Sequence, residues 1–306
     1  MKRRDALVLS GGGALSLLLP GFRPGEKGAS KTVLFFSRSQ GYEHSVIARK
    51  GNAPSLAEET LQALLSPLGV RVVASKDGGL FTKEALSRFD AFVFFTTGDL
   101  TKPGGDGNPP MSPDGKDAFL SLIKEGRGFV GIHSATDTFP SPGSRTDPGP
   151  PAQVDPYVAM LGGEFIVHNA QQEARARVVD HKFPGMAALG ESLSWTEEWY
   201  SLRNFAKDLH VLLVMETAGM VGPAYQRPPY PNTWARFHGK GPVFYTALGH
   251  REDVWANPLF KGLLTGGLLF ALGLREAACP GNLAEVTPQA DAITASILPS
   301  PPPEKR

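Results

Sequence analysis

The chain of 306 residues has a single cysteine, Cys279. One cysteine cannot form an internal disulfide, so cysteine content indicates neither an oxidising nor a reducing compartment. Any nucleophilic thiolate would have to come from this residue, which lies beyond the last predicted helix, residues 260–272. The sequence therefore offers little support for chemistry that depends on a cysteine nucleophile.

An excess of charge of one sign is also missing. Lysine and arginine together number 31, aspartate and glutamate number 30, and the formal net charge is +1. Proteins that bind nucleic acid usually carry a strongly basic patch, so this balance argues against a nucleic-acid partner. The chain has no internal repeat. Its apolar runs are too short for a stable membrane span once the N-terminal signal described below is removed.

The N-terminus carries an export pattern. Lys2, Arg3 and Arg4 precede an apolar stretch over residues 6–20. A basic head followed by a short apolar stretch is typical of a secretory signal, and the paired arginines resemble a twin-arginine signal. We predict a signal peptide over residues 1–29 and a periplasmic or secreted protein. The alternative is a cytoplasmic protein in which this stretch is the first strand.

The remaining sequence alternates short apolar runs with helical patterns. This alternation predicts βαβ crossovers, and so an α/β fold of three layers with a mainly parallel sheet flanked by helices. One domain is expected over residues 30–275, followed by a disordered tail over residues 276–306, because the end is rich in proline, serine and alanine. The predicted strands are residues 32–37, 70–74, 90–96, 128–132, 173–179, 211–215 and 243–247.

Histidines follow three of the predicted strands, at His44, His133 and His250. Ligands of open parallel sheets bind beyond the carboxyl ends of the strands, so these side chains are expected at one edge. Neutral imidazole binds metal ions and also serves as a general base. A divalent metal such as zinc, held by these three histidines with His168 or Glu198, is one interpretation.

Two other interpretations stay open for the same residues. In the first, His133 and Glu198 perform acid–base chemistry on a sugar hydroxyl or carbonyl without a metal. In the second, His133 is a hydrogen-bonded residue that only shapes the turn after its strand. Tryptophan side chains stack on sugars but also fill cores, so Trp199 and Trp234 are candidates for either role.

Six segments together resemble the ThuA-like, or trehalose-utilisation, family. They are GYEHS at 41–45, GIHSATD at 131–137, MLGGEFIVH at 160–168, WTEEWY at 195–200, PNTW at 231–234 and GKGPVFYTALGH at 239–250. The resemblance implies a flavodoxin-like domain similar to class I glutamine amidotransferases. Those enzymes carry a catalytic cysteine on a turn after a central strand, where this chain has His133. The resemblance therefore does not imply a cysteine-dependent amidotransferase.

The family resemblance also implies carbohydrate metabolism, with a disaccharide or keto-sugar as the small-molecule partner. An isomerase, hydrolase or lyase acting on such a sugar is the first hypothesis. A non-catalytic carbohydrate-binding or accessory module with a degenerate amidotransferase-like fold is the alternative, and a homo-oligomer is compatible with either. The predicted catalytic residues are His133, Glu198 and Tyr200; the predicted substrate-binding residues are Tyr42, Asp137, Trp199 and Trp234; the predicted metal ligands are His44, His133, His168 and His250.

Overall fold

The computed structural model describes residues 31–298. The predicted signal peptide lies outside these residues, as does the end of the predicted tail. Within the described residues, no helix is both long enough and apolar enough to span a membrane. The described part begins with the first strand of a large sheet.

The described strands form one large sheet and one small sheet. They are β1 (Thr32–Phe36), β2 (Arg71–Ser75), β3 (Ala91–Phe94), β4 (Gly128–Ile132), β5 (Glu164–His168), β6 (Gln172–Val178), β7 (Ser192–Glu197), β8 (Tyr200–Arg203), β9 (His210–Glu216), β10 (Tyr230–His238) and β11 (Gly241–Thr246). The large sheet has the order β2-β1-β3-β4-β11-β10-β9-β6-β7. Its first five strands are parallel, and from β11 onward the neighbours are antiparallel. The small sheet pairs β5 with β8.

Helices flank the sheet as two groups. In the described part they are α1 (Leu56–Leu65), α2 (Lys83–Leu86), α3 (Pro113–Glu125), α4 (Pro156–Leu161), α5 (Glu252–Ala256), α6 (Pro258–Ala271) and α7 (Leu283–Val286). Helices α1, α5 and α6 pack against one another, and α3 packs against α2 and α4. Both α3 and α6 contact β11, so the sheet is the middle layer.

Local sequence explains the elements that position the site. Every residue of β1 and β3 is buried, as expected for strands covered by helices on both faces. Helix α1 begins with a capping box, in which the Ser55 side chain accepts a hydrogen bond from the Glu58 backbone N–H and the Glu58 carboxylate accepts one from the Ser55 backbone N–H. These strands and caps hold the loops at the carboxyl edge of the sheet.

The predicted fold class is confirmed, and each of the seven predicted strands is present with ends that differ by at most two residues. Four strands were not predicted: β5, β7, β8 and β10. Strand β10 contains Pro231 and an irregularity in its pairing with β9, and proline inside a run normally argues against a strand. The sequence therefore predicted the parallel half of the sheet better than the antiparallel half.

The predicted disordered tail is wrong for residues 276–298. This segment packs against the antiparallel half of the sheet and includes α7. The Asn282 side chain accepts a hydrogen bond from the Val211 backbone N–H at 2.7 Å and donates to the Val211 carbonyl at 3.2 Å. Farther along, Leu283 and Ala290 are buried, and the Ala290 carbonyl accepts a hydrogen bond from Arg227. Low hydrophobicity did not produce disorder here because strand β9 supplies backbone partners.

Cys279 lies in this docked tail. Its thiol is half-buried and contacts the Ala277 carbonyl. Burial, with a smaller contribution from the Asp180 carboxylate, raises the pKa of the Cys279 thiol to about 12. The thiol is therefore protonated near neutral pH, which does not suit a nucleophile.

We expect Asn282→Ala to destabilise the protein by about 1–3 kcal/mol, because a backbone N–H of β9 loses its partner in a partly buried place. Urea unfolding measures this change, and limited proteolysis should show faster cleavage after residue 275. Gln289→Ala, an exposed substitution in the same tail, is the matched control and should leave both measurements unchanged. Equal stability of the two variants would contradict the docking of the tail through Asn282.

We expect Cys279 to react with iodoacetamide at pH 8 about a hundredfold or more slowly in the native protein than in urea, since only the thiolate reacts. A folded pKa of about 12 keeps the thiol protonated as pH rises through the range in which an unfolded cysteine ionises. Mass spectrometry of the alkylated chain gives both rates. Similar rates in the two states would show that the tail leaves this thiol open to solvent.

Candidate functional site

Three histidines predicted at one edge of the sheet are brought together there. His44 lies in the loop after β1, His133 directly follows β4, and His250 follows β11. The ring centroids are 5.0 Å apart for His44 and His133, 5.2 Å for His44 and His250, and 5.3 Å for His133 and His250. The three rings therefore form a nearly equilateral triangle.

The turn at His133 sets the direction of its ring. His133 is fully buried and has a φ of 45°, in the left-handed region that residues other than glycine rarely adopt. The Tyr245 hydroxyl donates a hydrogen bond to the His133 carbonyl at 2.8 Å. On the ring, Nδ1 donates to the Ala247 carbonyl at 2.8 Å. Because Nδ1 holds the proton, Nε2 of the neutral ring presents a lone pair to the cluster.

Glu198, in the turn between β7 and β8, completes the cluster. Its Oε2 lies 3.4 Å from Nε2 of His133 and 3.1 Å from Nδ1 of His250. Burial raises the pKa of Glu198, but its close contacts with His133 and His250 outweigh this effect and hold that pKa well below its ordinary value. Glu198 is therefore an ionised carboxylate among imidazoles.

The neighbouring Glu197 fixes this turn against the end of β11. It is fully buried, and its carboxylate accepts backbone N–H bonds from Gly249 at 2.7 Å, His250 at 3.0 Å and Glu198 at 2.8 Å. Burial raises the pKa of Glu197, and the amide donors oppose this rise. Gly249 has a φ of 115°, which a residue with a side chain would adopt only with strain. Sequence reasoning missed the part played by Glu197.

His44 is held neutral. Burial, with the neighbouring His133 and His250, lowers the pKa of His44 to about 2. The pKa of His250 shifts in the opposite direction. Burial lowers this pKa, but the contacts with the Glu198 carboxylate raise it by more, so the pKa of His250 lies above its ordinary value. The Tyr200 hydroxyl lies 3.5 Å from Nε2 of His44, and the Tyr200 ring packs on His133 with centroids 4.1 Å apart.

Three buried ring nitrogens of this cluster have no hydrogen-bond partner: Nδ1 of His44, Nε2 of His133 and Nδ1 of His250. Ligand atoms of these histidines and of Glu198 all lie within 4.8 Å of one another. Around a tetrahedral zinc ion with bonds of about 2.0–2.1 Å, neighbouring ligand atoms are about 3.3 Å apart. The 3.1 Å and 3.4 Å contacts of Glu198 match this spacing, so the four residues could hold a divalent metal ion.

His168, the fourth predicted ligand, lies outside this group of four. Its side chain is 40% exposed, and Nδ1 lies 3.4 Å from Oε1 of Glu198, whereas His133 and His250 contact Oε2. The Nδ1 atom also contacts the Asn169 carbonyl at 3.1 Å. His168 therefore lines the rim of the cluster, and Glu198 takes the place predicted for it.

The two predicted tryptophans are core residues, which corrects their assignment to substrate binding. Trp199 and Trp234 are 1% and 0% exposed. Their indole N–H groups donate to the carbonyls of Gln172 and Leu161. A ring without exposed area cannot stack on a sugar, so these side chains act through packing.

The other two predicted substrate-binding residues are accessible to different degrees. Tyr42 is 68% exposed and meets the His44 ring edge-on, with centroids 5.0 Å apart. The Asp137 carboxylate is paired with the Arg145 guanidinium, which lies over the Phe165 ring. Tyr42 is thus free to contact a ligand, whereas Asp137 already has a charged partner.

Comparison with known proteins agrees with this architecture. A profile of the ThuA family, described as trehalose utilisation, matches residues 32–271. A comparison with curated proteins found no match. A putative ThuA-like protein from Bacteroides uniformis ATCC 8492 has a TM-score of 0.58 and 18% identity, over 82% of this chain and 95% of that chain.

Two further solved structures have the same fold. A putative ThuA-like protein from Parabacteroides merdae ATCC 43184 has a TM-score of 0.55 and 17% identity, over 81% of this chain and 92% of that chain. A cytoplasmic protein from Salmonella typhimurium LT2 has a TM-score of 0.50 and 16% identity, over 79% and 98%. At these identities the structures show the fold, while the family profile spans most of the sequence. The chain belongs to the ThuA family.

Proposed function

We propose that this protein is an enzyme of carbohydrate metabolism that acts on a disaccharide or keto-sugar at the cluster of His44, His133, Glu198 and His250, with a divalent metal ion, zinc by preference. The family's description, trehalose utilisation, supports a role in carbohydrate metabolism. The observation that carries the metal is the convergence of three buried, unpartnered imidazole nitrogens on one carboxylate. Unpaired buried polar atoms are costly, and a shared cation removes that cost.

The donor set fits zinc. Imidazole and carboxylate are ordinary zinc ligands, and His133 has the outer contact typical of a ligating histidine, with Nδ1–H bound to a backbone carbonyl. A bound divalent cation would polarise a carbonyl or hydroxyl oxygen of the sugar. This chemistry suits the isomerase, hydrolase or lyase reactions expected from the sequence.

The chain's own groups have distinct tasks beside that ion. Burial raises the pKa of Tyr200 well above its ordinary value, so its hydroxyl keeps its proton and acts as a hydrogen-bond donor. Glu198 remains ionised and supplies negative charge. His133 offers a lone pair at Nε2, held in place by the Tyr245 and Ala247 contacts. Tyr42 provides an exposed ring next to His44 on which a sugar can stack.

The alternative is a carbohydrate-binding module without catalysis. Such a module would need exposed aromatic rings on which a sugar can stack. Trp199 and Trp234 do not provide this surface, because both are buried. A binding module also has no need for neutral and charged titratable groups packed in one cluster, which are characteristic of active sites. The enzyme is therefore the function that the site favours.

We expect the purified protein to bind about one zinc ion per chain, and His133→Ala or Glu198→Gln to weaken this binding at least about tenfold. Chelator competition and elemental analysis of protein prepared without chelator measure both. His181→Ala is the matched control, because His181 lies on a turn outside the cluster and is half-exposed. Far-ultraviolet circular dichroism confirms that each variant is folded. Wild-type protein that binds no divalent metal would rule out the metal site.

We expect zinc-loaded protein to convert a member of a panel of trehalose, other disaccharides and their keto derivatives, detected by NMR of the sugar. Glu198→Gln should lower the rate about a hundredfold or more, since the site loses a charge at the reacting centre. His181→Ala should keep the wild-type rate. Binding of a sugar from the panel with no conversion under any metal condition would favour the binding module instead.

We expect Tyr42→Ala to weaken binding of that sugar about two- to tenfold, with little change in kcat, because an aromatic stacking contact contributes about 0.5–1.5 kcal/mol. Tyr42→Phe keeps the ring and should bind like the wild type. Initial-rate kinetics separate KM from kcat. An unchanged KM in Tyr42→Ala would place the sugar away from this ring.

A further inference from the structure

Gln171, in the loop between β5 and β6, reaches the cluster from its rim. Its side-chain nitrogen Nε2 lies 2.9 Å from Nε2 of His250. Its side-chain oxygen Oε1 accepts a hydrogen bond from Nη1 of Arg251 at 2.8 Å. An arginine can only donate, so the oxygen of the Gln171 amide must face Arg251, and its NH₂ group must face His250.

Arg251 is itself held in place. Its Nε and Nη2 atoms bind the two carboxylate oxygens of Asp253 at 2.9 Å and 3.0 Å, which leaves Nη1 directed at Gln171. A two-point contact of this kind orients the guanidinium plane. Asp253, Arg251 and Gln171 thus form a chain of contacts that ends on the outer nitrogen of His250.

An NH₂ group next to Nε2 of His250 decides which ring nitrogen carries the proton. Nε2 has to accept, so the proton of the neutral ring is on Nδ1, the atom that faces the cluster. His133 has the opposite arrangement toward the cluster, because its proton is on the outer nitrogen, which donates to Ala247. The two imidazoles therefore present different groups to the same centre, a lone pair from His133 and an N–H from His250.

We propose that Gln171 is a positioning residue that keeps the proton of the neutral His250 ring on Nδ1, so that only three of the four residues in the cluster, His44, His133 and Glu198, bind the metal and His250 presents an N–H beside it. This inference rests on the proposed function, from which it takes the presence of a bound metal ion. Oε2 of Glu198 lies 3.1 Å from Nδ1 of His250, so this N–H faces the carboxylate that would bind the metal. Three protein ligands with one open position are typical of catalytic zinc sites.

The first test uses metal-free protein labelled with ¹⁵N in histidine. Two-bond proton–nitrogen correlation spectra distinguish a protonated from a bare ring nitrogen, and His250→Asn identifies the signals of His250. The spectra are recorded above the raised pKa of His250, where its ring is neutral. We expect Nδ1 of this neutral ring to be protonated in the wild type and Nε2 to be bare. In Gln171→Glu the carboxylate accepts a hydrogen bond from Nε2, so the proton should move to Nε2. A proton on Nε2 in the wild type would overturn the inference.

The second test measures zinc affinity by chelator competition. Gln171→Glu frees the Nδ1 lone pair of His250 and should tighten zinc binding about tenfold or more, the size of effect that partners of ligating histidines exert. Gln172→Glu adds the same charge one residue away, where the side chain contacts Val221 rather than His250. Equal affinities of Gln171→Glu and Gln172→Glu would mean that charge alone acts, and would overturn the inference.

The two tests separate this inference from the proposed function. If neither wild type nor variants bind zinc, the metal of the proposed function fails, and the spectra of metal-free protein still decide the role of Gln171. If zinc binds but the proton of His250 does not respond to Gln171→Glu, the inference fails and the metal site stands.

Discussion

Glu197, the last residue of β7, and Glu198, in the turn that follows, join the two halves of the sheet at the site. Strand β7, which precedes the turn, lies at the far antiparallel edge, whereas the backbone amides that bind Glu197 follow β11 in the parallel half. A buried carboxylate is tolerated only when donors compensate for its lost hydration, and three backbone N–H groups do so here. Because Glu197 is tied to Gly249 and His250, the adjacent Glu198 reaches His133 and His250 at the same time. The cluster depends on this connection.

The second constraint is the turn at His133. A left-handed backbone conformation at a residue with a side chain is costly and persists only when its surroundings enforce it. Here the enforcing contacts come from β11 and the residue after it, since Tyr245 binds the His133 carbonyl and Ala247 binds its ring. The same contacts choose the nitrogen that His133 presents to the cluster. The neighbouring strands β4 and β11 thus set the backbone strain at His133, the orientation of its ring and the ring nitrogen that carries the proton.

The histidines of the cluster differ chemically although they are neighbours. Deep burial keeps His44 neutral, while the Glu198 carboxylate favours the charged form of His250. Environments that push the pKa values of adjacent groups apart are what acid–base and metal chemistry require. The exposed Tyr42 ring and the half-exposed His168 make the rim the solvent-accessible side of the cluster.

By itself, the sequence determined the parallel half of the fold and the edge at which the site lies. Apolar runs of five or six residues mark strands buried on both faces, and a histidine after such a run must lie at the carboxyl edge of the sheet. The motifs also predicted the family. Only the tertiary structure decided that Glu198 rather than His168 joins His44, His133 and His250, that Trp199 and Trp234 are core residues, and that Gln171 contacts His250. Burial and side-chain distance depend on contacts between segments that are far apart in the chain. Examples are the packing of the tail against β9 and of the β7–β8 turn against the end of β11. The local periodicity of the sequence carries no information about such contacts.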